Sequence, residues 1–481
     1  MSVFQTELLL VYPSLSSDYQ RLKTVERTLA RRPSLGMQYL MGVLRRAGVG
    51  YVFHDQVLDD ISLPQLIEQV RRQAIPTVGL HVNYMTTDKV CGYIAALKND
   101  TAAKVIVGGP GTLEAERFVA AGADAVVIGE AETRLPKVLA ALREDCGLAD
   151  IPGLCLPGGD GPHRTPAAGR IEDLESLPFP YRPPELIGRY GHDANPAEHR
   201  PNISLMASRG CPYRCSFCNT PQLWSNRVVF RSPAHTFAEI DEIFAQWPNA
   251  YLTFIDDVFG QNAAWIEEFC QRAMSRDKPF KWMCILNPLS LGKNASRLLP
   301  LMAEAGCNCI SWGGQSADPD VLTGVNRSRR EPEKLAEMVK LCKQNNILSV
   351  VTYIFGLPGD TLQTIEKSVA WTLKHRPDFA DYHPLLVLPK SDLARDYDSL
   401  PLTELNSDDI EHAMANAYRR FYLHPKVIAQ FIRLVLRHNP RFFLRLPRLL
   451  LRLLNLALFQ GEADEPEPEL NVKRVPQPLP R

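Results

Sequence analysis

Cys211, Cys215 and Cys218 stand at Cys-x3-Cys-x2-Cys spacing in the stretch Ser208-Arg-Gly-Cys-Pro-Tyr-Arg-Cys-Ser-Phe-Cys-Asn219. Three thiolates on one short loop can each hold one iron of a [4Fe–4S] cube, leaving the fourth iron open to a small molecule. A structural zinc ion takes four protein ligands, and no fourth Cys or His follows closely. The apolar run Ile203-Ser-Leu-Met206 ahead of the loop reads as a short strand. The thiols therefore sit at a strand exit, where open α/β folds place their ligands.

The flanking chain alternates strand and helix patterns. From Asn202 we read strands at 250–259, 280–286, 307–316, 348–355 and 379–388, and helices at 233–246, 263–275, 295–305, 332–345 and 361–374. The strand ends carry the remaining polar or glycine-rich groups: Asp256-Asp257, Gly313-Gly314-Gln315-Ser316 and Gly356-Leu-Pro-Gly359. Asp256 and Asp257 fit either a ligand contact or a turn-forming pair; adjacent residues on a strand point to opposite faces, so one at most is expected to face the interior of the sheet's concave side. The glycine segments fit either close ligand approach or ordinary turns.

Ahead of this region lies a second alternating block, with strands at 7–12, 51–55, 77–82, 104–108 and 123–128 and helices at 32–48, 62–73 and 88–99. Such a pattern predicts a doubly wound parallel sheet. Glycine turns follow two of its strands, Gly108-Gly109-Pro110-Gly111 and Gly129-Glu130. Residues 157–170 are rich in Gly and Pro and read as a loop.

The Cys-x3-Cys-x2-Cys loop with Phe217 before its last cysteine resembles the cluster loop of radical S-adenosylmethionine (SAM) enzymes. Pro33-x-Leu-Gly36, Gly108-Gly109-Pro110 and Val127-Ile-Gly129-Glu130-Ala-Glu132 resemble the cobalamin-binding domain fused to many of them. The resemblance implies an N-terminal Rossmann-like cobalamin domain (1–145), a linker (146–200), a partial (β/α)6 barrel (201–395), a C-terminal helical region (396–460) and a disordered tail (461–481). It implies three cofactors: a [4Fe–4S] cluster on Cys211, Cys215 and Cys218, SAM and cobalamin. SAM would lie near Phe217, Asp256, Asp257, Gly313, Gly314, Gln315, Ser316 and Gly356. Cobalamin would lie near Tyr84, Gly108, Gly109, Pro110, Gly129 and Glu130. The implied activity is methylation of an unactivated carbon through a 5′-deoxyadenosyl radical and methylcobalamin, with a reductant such as flavodoxin or ferredoxin. Radical cyclisation, ring contraction or oxidation of an isoprenoid or tetrapyrrole-like substrate is the alternative, and a non-catalytic metal-binding scaffold a further one.

This sequence departs from the family pattern at several points. Gln315 replaces an acidic residue, Asn287-Pro288 follow a strand where arginine is common, and Pro389-Lys-Ser-Asp392 replaces a Pro-Gly-Thr turn. The Asp-x-His-x-x-Gly motif of histidine-ligated cobalamin proteins is absent. His54 and His81 lie outside such a context and read as strand residues, so a lower cobalt face without histidine is expected.

Composition sets bounds on the rest. The chain has 481 residues, 45% of them hydrophobic, enough for several buried cores. Its formal net charge is zero, which argues against nucleic acid as a partner bound by overall charge. Cys91, Cys146, Cys155, Cys270, Cys284, Cys307, Cys309 and Cys342 show no disulfide framework and read as buried small residues, fitting a reducing cytoplasm. No secretory leader is read at the N-terminus. Near the C-terminus, Arg441, Arg445, Arg448 and Arg452 fall among leucines on one helical face. That pattern suits either peripheral contact of 441–459 with an anionic membrane surface, and a lipid-like or other small-molecule substrate, or a cover over an apolar barrel mouth.

Overall fold

A computed structural model describes residues 6–14, 32–190, 201–396 and 403–438. The expectations for 441–459 and 461–481 lie outside these residues. The chain forms two compact units, one built on residues 1–192 with 222–231 and 388–390, the other on the remainder.

The first unit holds a seven-stranded sheet. Its strands are β1 (Leu8–Tyr12), β2 (Tyr51–Asp55), β3 (Thr77–His81), β4 (Lys104–Gly108), β5 (Ala125–Val127), β6 (Leu154–Leu156) and β7 (His163–Arg164), in the order β2-β1-β3-β4-β5-β6-β7. The first five are parallel. Strand side chains alternate between faces, and β1 shows why its run is wholly apolar: Leu9 and Val11 enter one core, Leu8 and Leu10 the other. Helix α1 (Leu35–Arg46) packs Met37, Met41 and Leu44 on the second face, joined there by Leu135 and Val138 of α5 (Leu135–Glu144). The opposite face is covered by α2 (Leu63–Gln73), α3 (Thr87–Asp100) and α4 (Ala115–Ala120). Ser62 caps α2 in a reciprocal box with Gln65, as its type and position predict. Strands β6 and β7 add antiparallel to the sheet edge, so part of the segment read as a linker is sheet.

The second unit is an open six-stranded parallel sheet: β8 (Asn202–Leu205), β9 (Tyr251–Phe254), β10 (Trp282–Leu286), β11 (Cys307–Gln315), β12 (Leu348–Phe355) and β13 (Phe379–Pro384), ordered β13-β12-β11-β10-β9-β8. Between successive strands run α6 (Pro233–Gln246), α7 (Ala263–Met274), α8 (Ala295–Glu304), α9 (Pro319–Gly324) with α10 (Glu331–Gln344), and α11 (Leu362–His375); α12 (Ser407–Tyr422) and α13 (Pro425–His438) follow. This is the expected (β/α)6 order, with strand C-termini on one edge. Aromatic packing fixes that edge near β9: Phe259 lies 5.1 Å from Phe254 and 5.7 Å from Trp282 between ring centroids, while Trp265 and Phe269 stack at 5.2 Å.

Strand β13 ends the sheet, and α12 lies along it. Tyr418 donates its hydroxyl to Tyr382 O at 3.2 Å and accepts from Tyr382 N at 3.1 Å. Tyr422 donates to Ala380 O at 3.0 Å and accepts from Ala380 N at 3.2 Å.

Candidate functional site

The cysteine loop leaves β8 and is fastened from two sides. On one side, the chain leading into it binds the Asp256-Asp257 pair beyond the end of β9. Asp256 accepts Ala207 N at 3.1 Å and Ser208 Oγ at 2.6 Å; Asp257 accepts Gly210 N at 2.9 Å. Burial pushes the Asp256 carboxyl up to about 6, against the opposing pull of its Ser208 and Ala207 hydrogen bonds. The pair lies past the last strand residue, where the pleat has ended, so both carboxylates reach the same loop. Strand alternation therefore does not govern which atoms the pair reaches.

On the other side, Ser216 N donates to Val325 O at 3.2 Å and Leu393 N to Ser216 O at 2.8 Å. Phe217 packs against a core of Val321, Val325, Leu357, Leu385 and Leu393. Cys218 Sγ accepts Thr220 N at 3.4 Å. Arg327 brings Nη1 to 3.8 Å from Cys215 Sγ, Nη2 to 2.7 Å from Gly313 O and Nε to 2.7 Å from Glu331. The Arg327 and Glu331 side chains are 5% and 3% exposed.

All three thiols are free and partly exposed. Burial raises the Cys211 thiol to about 12 and also raises that of Cys215, where Arg327 pulls the other way. Among the described residues no three His, Cys, Asp or Glu side chains gather as a single metal ion would require; a cube takes one thiolate per iron instead. The loop's polar atoms fit a cluster. Ser216 Oγ and Asn219 Nδ2 are buried without a hydrogen-bond partner. They are donors beside thiols, and sulfides or thiolates of a cluster supply acceptors.

The other expected SAM segments line the neighbouring strand ends of this unit. Between Gly313 and Gln315 the β11–β12 register shifts, and Gln315 takes φ +61°. A left-handed glutamine at a bulge is strained, a state that clusters at functional sites. Ser316 is buried, and its hydroxyl accepts Asp318 N at 3.1 Å. Gly356, at φ +89°, and Leu357 both donate backbone N–H groups to Asp360 Oδ2 at 3.0 Å, fixing the turn after β12.

In the first unit, the β3, β4 and β5 exits carry the expected cobalamin residues. A Cβ on Gly109 (φ +120°) would lie 2.4 Å from Val82 O, so the β4 exit can press against the β3 exit only as glycine. A Cβ on Gly108 would meet nothing within 4 Å, leaving its backbone open to a ligand. Pro110 opens a 3-10 turn closed by Thr112 Oγ1 to Gly109 O at 2.8 Å. Tyr84 lies on the turn that Asn83 Oδ1 closes with Met85 N at 2.8 Å and Thr86 N at 3.1 Å. Gly129 has φ +80°, and the Glu130 carboxylate accepts Ile171 N at 2.7 Å. These close-packed glycine turns beside open backbone fit a large flat ligand. The His81 ring packs against Tyr12 with centroids 4.7 Å apart and planes tilted by 35°, and burial depresses its pKa to about 4. His54 hydrogen-bonds Gln69 at 2.8 Å, so both histidines are strand residues, as read. A cavity of about 610 Å³ at edge strand β2 includes Arg45, Asp55, Asp59 and Arg189 but none of these positions.

Six of the remaining cysteines are buried as expected, but Cys91 is half-buried and Cys146 exposed. Arg327 and Glu331 were not legible as site residues. They follow α9, more than a hundred residues from Cys215, and only the sheet order brings them there.

Residues 205–372 match the radical SAM superfamily model and residues 26–139 the B12-binding-domain model. The chain therefore carries a radical SAM domain and a B12-binding domain. Its cofactors are therefore a [4Fe–4S] cluster, SAM and cobalamin. It is 23% identical over 448 residues to an uncharacterized methyltransferase of Pyrococcus horikoshii, covering 89% of this chain and 94% of that one. It is 26% identical over 371 residues to an anaerobic magnesium-protoporphyrin IX monomethyl ester cyclase of Rubrivivax gelatinosus, covering 75% of this chain and 65% of that one. The radical SAM methyltransferase TsrM of Kitasatospora setae, solved with cobalamin and a [4Fe–4S] cluster, matches with TM-score 0.65 at 20% identity, over 81% of this chain and 74% of that one. That likeness concerns the fold.

Proposed function

We propose that the enzyme methylates an unactivated carbon of a small-molecule or lipid-like substrate. When bound, the cluster supplies the electron that cleaves SAM to a 5′-deoxyadenosyl radical, and cobalamin supplies a methyl-carrying cobalt. In this reading Cys211, Cys215 and Cys218 each hold one iron. Asp256 and Asp257 hold the loop's entry. Phe217, Gly313, Gly314, Gln315, Ser316 and Gly356 shape the SAM side. Tyr84, Gly108, Gly109, Pro110, Gly129 and Glu130 form the cobalamin bed. The carrying observation is the pairing of a B12-binding domain with a cysteine loop clamped at the C-terminal edge of a parallel sheet. A flavodoxin- or ferredoxin-like protein would deliver the electron.

The likeness to the Rubrivivax cyclase favours a second reading, a radical cyclisation or oxidation without methyl transfer. Anaerobic reconstitution with iron, sulfide and hydroxocobalamin, followed by SAM and a reductant, separates the two. Release of S-adenosylhomocysteine along with 5′-deoxyadenosine supports methylation. Release of 5′-deoxyadenosine alone supports the cyclase-type reaction, and no SAM cleavage by a four-iron protein leaves only a scaffold.

We also place the enzyme in the cytoplasm, touching the inner face of the membrane. Among the described residues no helix is long and apolar enough to cross a membrane. Helix α13 exposes Ile428, Ile432 and Leu436 one turn apart, at 41%, 42% and 57%. From 412 to 461 the sequence has no acidic residue and nine Lys or Arg. A basic amphipathic surface of this kind favours anionic lipid.

A further inference from the structure

We infer that Arg327 sets the reduction potential of the cluster through Cys215, and that Glu331 holds it there. The inference rests on the cluster reading of the cysteine loop. Arg327 Nη1 lies 3.8 Å from Cys215 Sγ. The guanidinium cannot swing away, because Nη2 is bound to Gly313 O at 2.7 Å and Nε to Glu331 at 2.7 Å. Glu331 also accepts Ser328 N at 3.2 Å and is fixed in the first turn of α10. Asn326 next to Arg327 adopts φ +58°, a conformation asparagine tolerates better than most residues. The chain thus turns sharply between Val325, which takes Ser216 N, and Arg327, which reaches Cys215.

A fixed guanidinium is permanently charged and offers N–H donors in a rigid fork. Hydrogen bonds and net charge at the ligating sulfurs are among the terms that set an iron–sulfur potential. Reduction adds one negative charge to the cluster. A cation held on a ligating thiolate in a buried site favours the reduced form and raises the potential. Glu331 lies on the far side of the guanidinium from the sulfur and offsets only part of that field. The two residues therefore act with opposite sign. Arg327 is a positioning residue for electron entry, and through Gly313 it also ties the cluster loop to the strand end proposed for SAM.

The test is a redox titration of anaerobically reconstituted, full-length protein followed by electron paramagnetic resonance, with iron and sulfide counted on each sample. R327M is expected to shift the midpoint to lower potential. E331Q, which keeps one acceptor oxygen for Arg327 and removes the anion, is expected to shift it to higher potential. Because R327M leaves a buried carboxylate unpaired and can unfold the unit, R327M/E331M removes both charges together. It is expected to shift the midpoint down by less than R327M does. R327K keeps the charge without the fork and is expected to fall between wild type and R327M. Midpoints in E331Q and R327M/E331M equal to wild type, at four irons per chain, would overturn the inference. Wild-type protein that takes up no iron would instead overturn the cluster reading.

Discussion

Gly210 donates its backbone N–H to the carboxylate of Asp257 at 2.9 Å, one residue ahead of the first loop cysteine. The neighbouring Asp256 holds Ala207 and Ser208. An acidic pair beyond β9 therefore shapes the chain leaving β8, so the loop's entry is set by the adjacent strand as well as by its own sequence. For D257A we expect fewer irons per chain after reconstitution at unchanged helix content. D257N, whose amide oxygen can still accept the Gly210 N–H, should retain most of them. Equal iron counts in D257A and wild type would show the bond to be dispensable.

Gly109 should be irreplaceable by alanine. The methyl would sit 2.4 Å from Val82 O at φ +120°. Such strain costs on the order of 1–3 kcal/mol even before backbone displacement. G109A is expected to lower the unfolding midpoint and to lose cobalamin absorption while keeping its iron. The control is G108A, where a methyl meets nothing within 4 Å. It should fold normally, and any loss of cobalamin there would report contact with the ligand itself.

Asp55 gives the first unit a pH dependence. Burial raises its carboxyl from 3.8 to about 6, while Tyr190 OH at 2.5 Å and Val57 N at 3.1 Å pull it back down. Asp59 and Arg189 face the same group, with opposite effects. Because the folded pKa exceeds the unfolded one, this contribution is fully present below pH 3.8 and is lost as pH rises through 6. The shift corresponds to about 3 kcal/mol. D55N removes the buried charge and leaves polar partners for Tyr190 and Val57. It should be more stable than wild type at pH 7.5, with the difference vanishing near pH 4. Chemical denaturation at the two pH values measures this, and an equal difference at both would refute it.

Membrane contact through α13 predicts sedimentation with vesicles of phosphatidylcholine and phosphatidylglycerol and much less with phosphatidylcholine alone. I428S/I432S should reduce binding several-fold without changing the unfolding midpoint, since both side chains are more than 40% exposed. Binding unaffected by this change would point instead to the basic residues that follow α13.

Much of the fold was legible because local and tertiary signals agree. Helix α6 runs from Pro233 to Gln246 as read, with Ser232 accepting His235 N at 3.1 Å at its start. The wholly apolar β1 announced a strand covered on both faces. Strands β6 and β7 were hidden, because three- and two-residue strands carry no periodicity and lie beside a Gly/Pro-rich loop. The six-residue α9 was missed for the same reason. The three cysteines were legible from spacing alone. The work of Asp256 and Asp257 was not, because it depends on where the β9 pleat stops. Arg327 left no local mark, since its meaning arises only from the order of strands.

The hydroxyls of Tyr418 and Tyr422 bear on how this chain meets copies of itself. Four residues along a helix rise about 6 Å, and two along a strand about 6.6 Å. The two tyrosines therefore match the repeat of β13 and occupy the N–H and C=O groups of Ala380 and Tyr382 that a further strand would use. Open parallel sheets are vulnerable at their last strand, where another chain can add on. Here a helix supplies a false neighbour, so this edge can stay unclosed without becoming a template for aggregation.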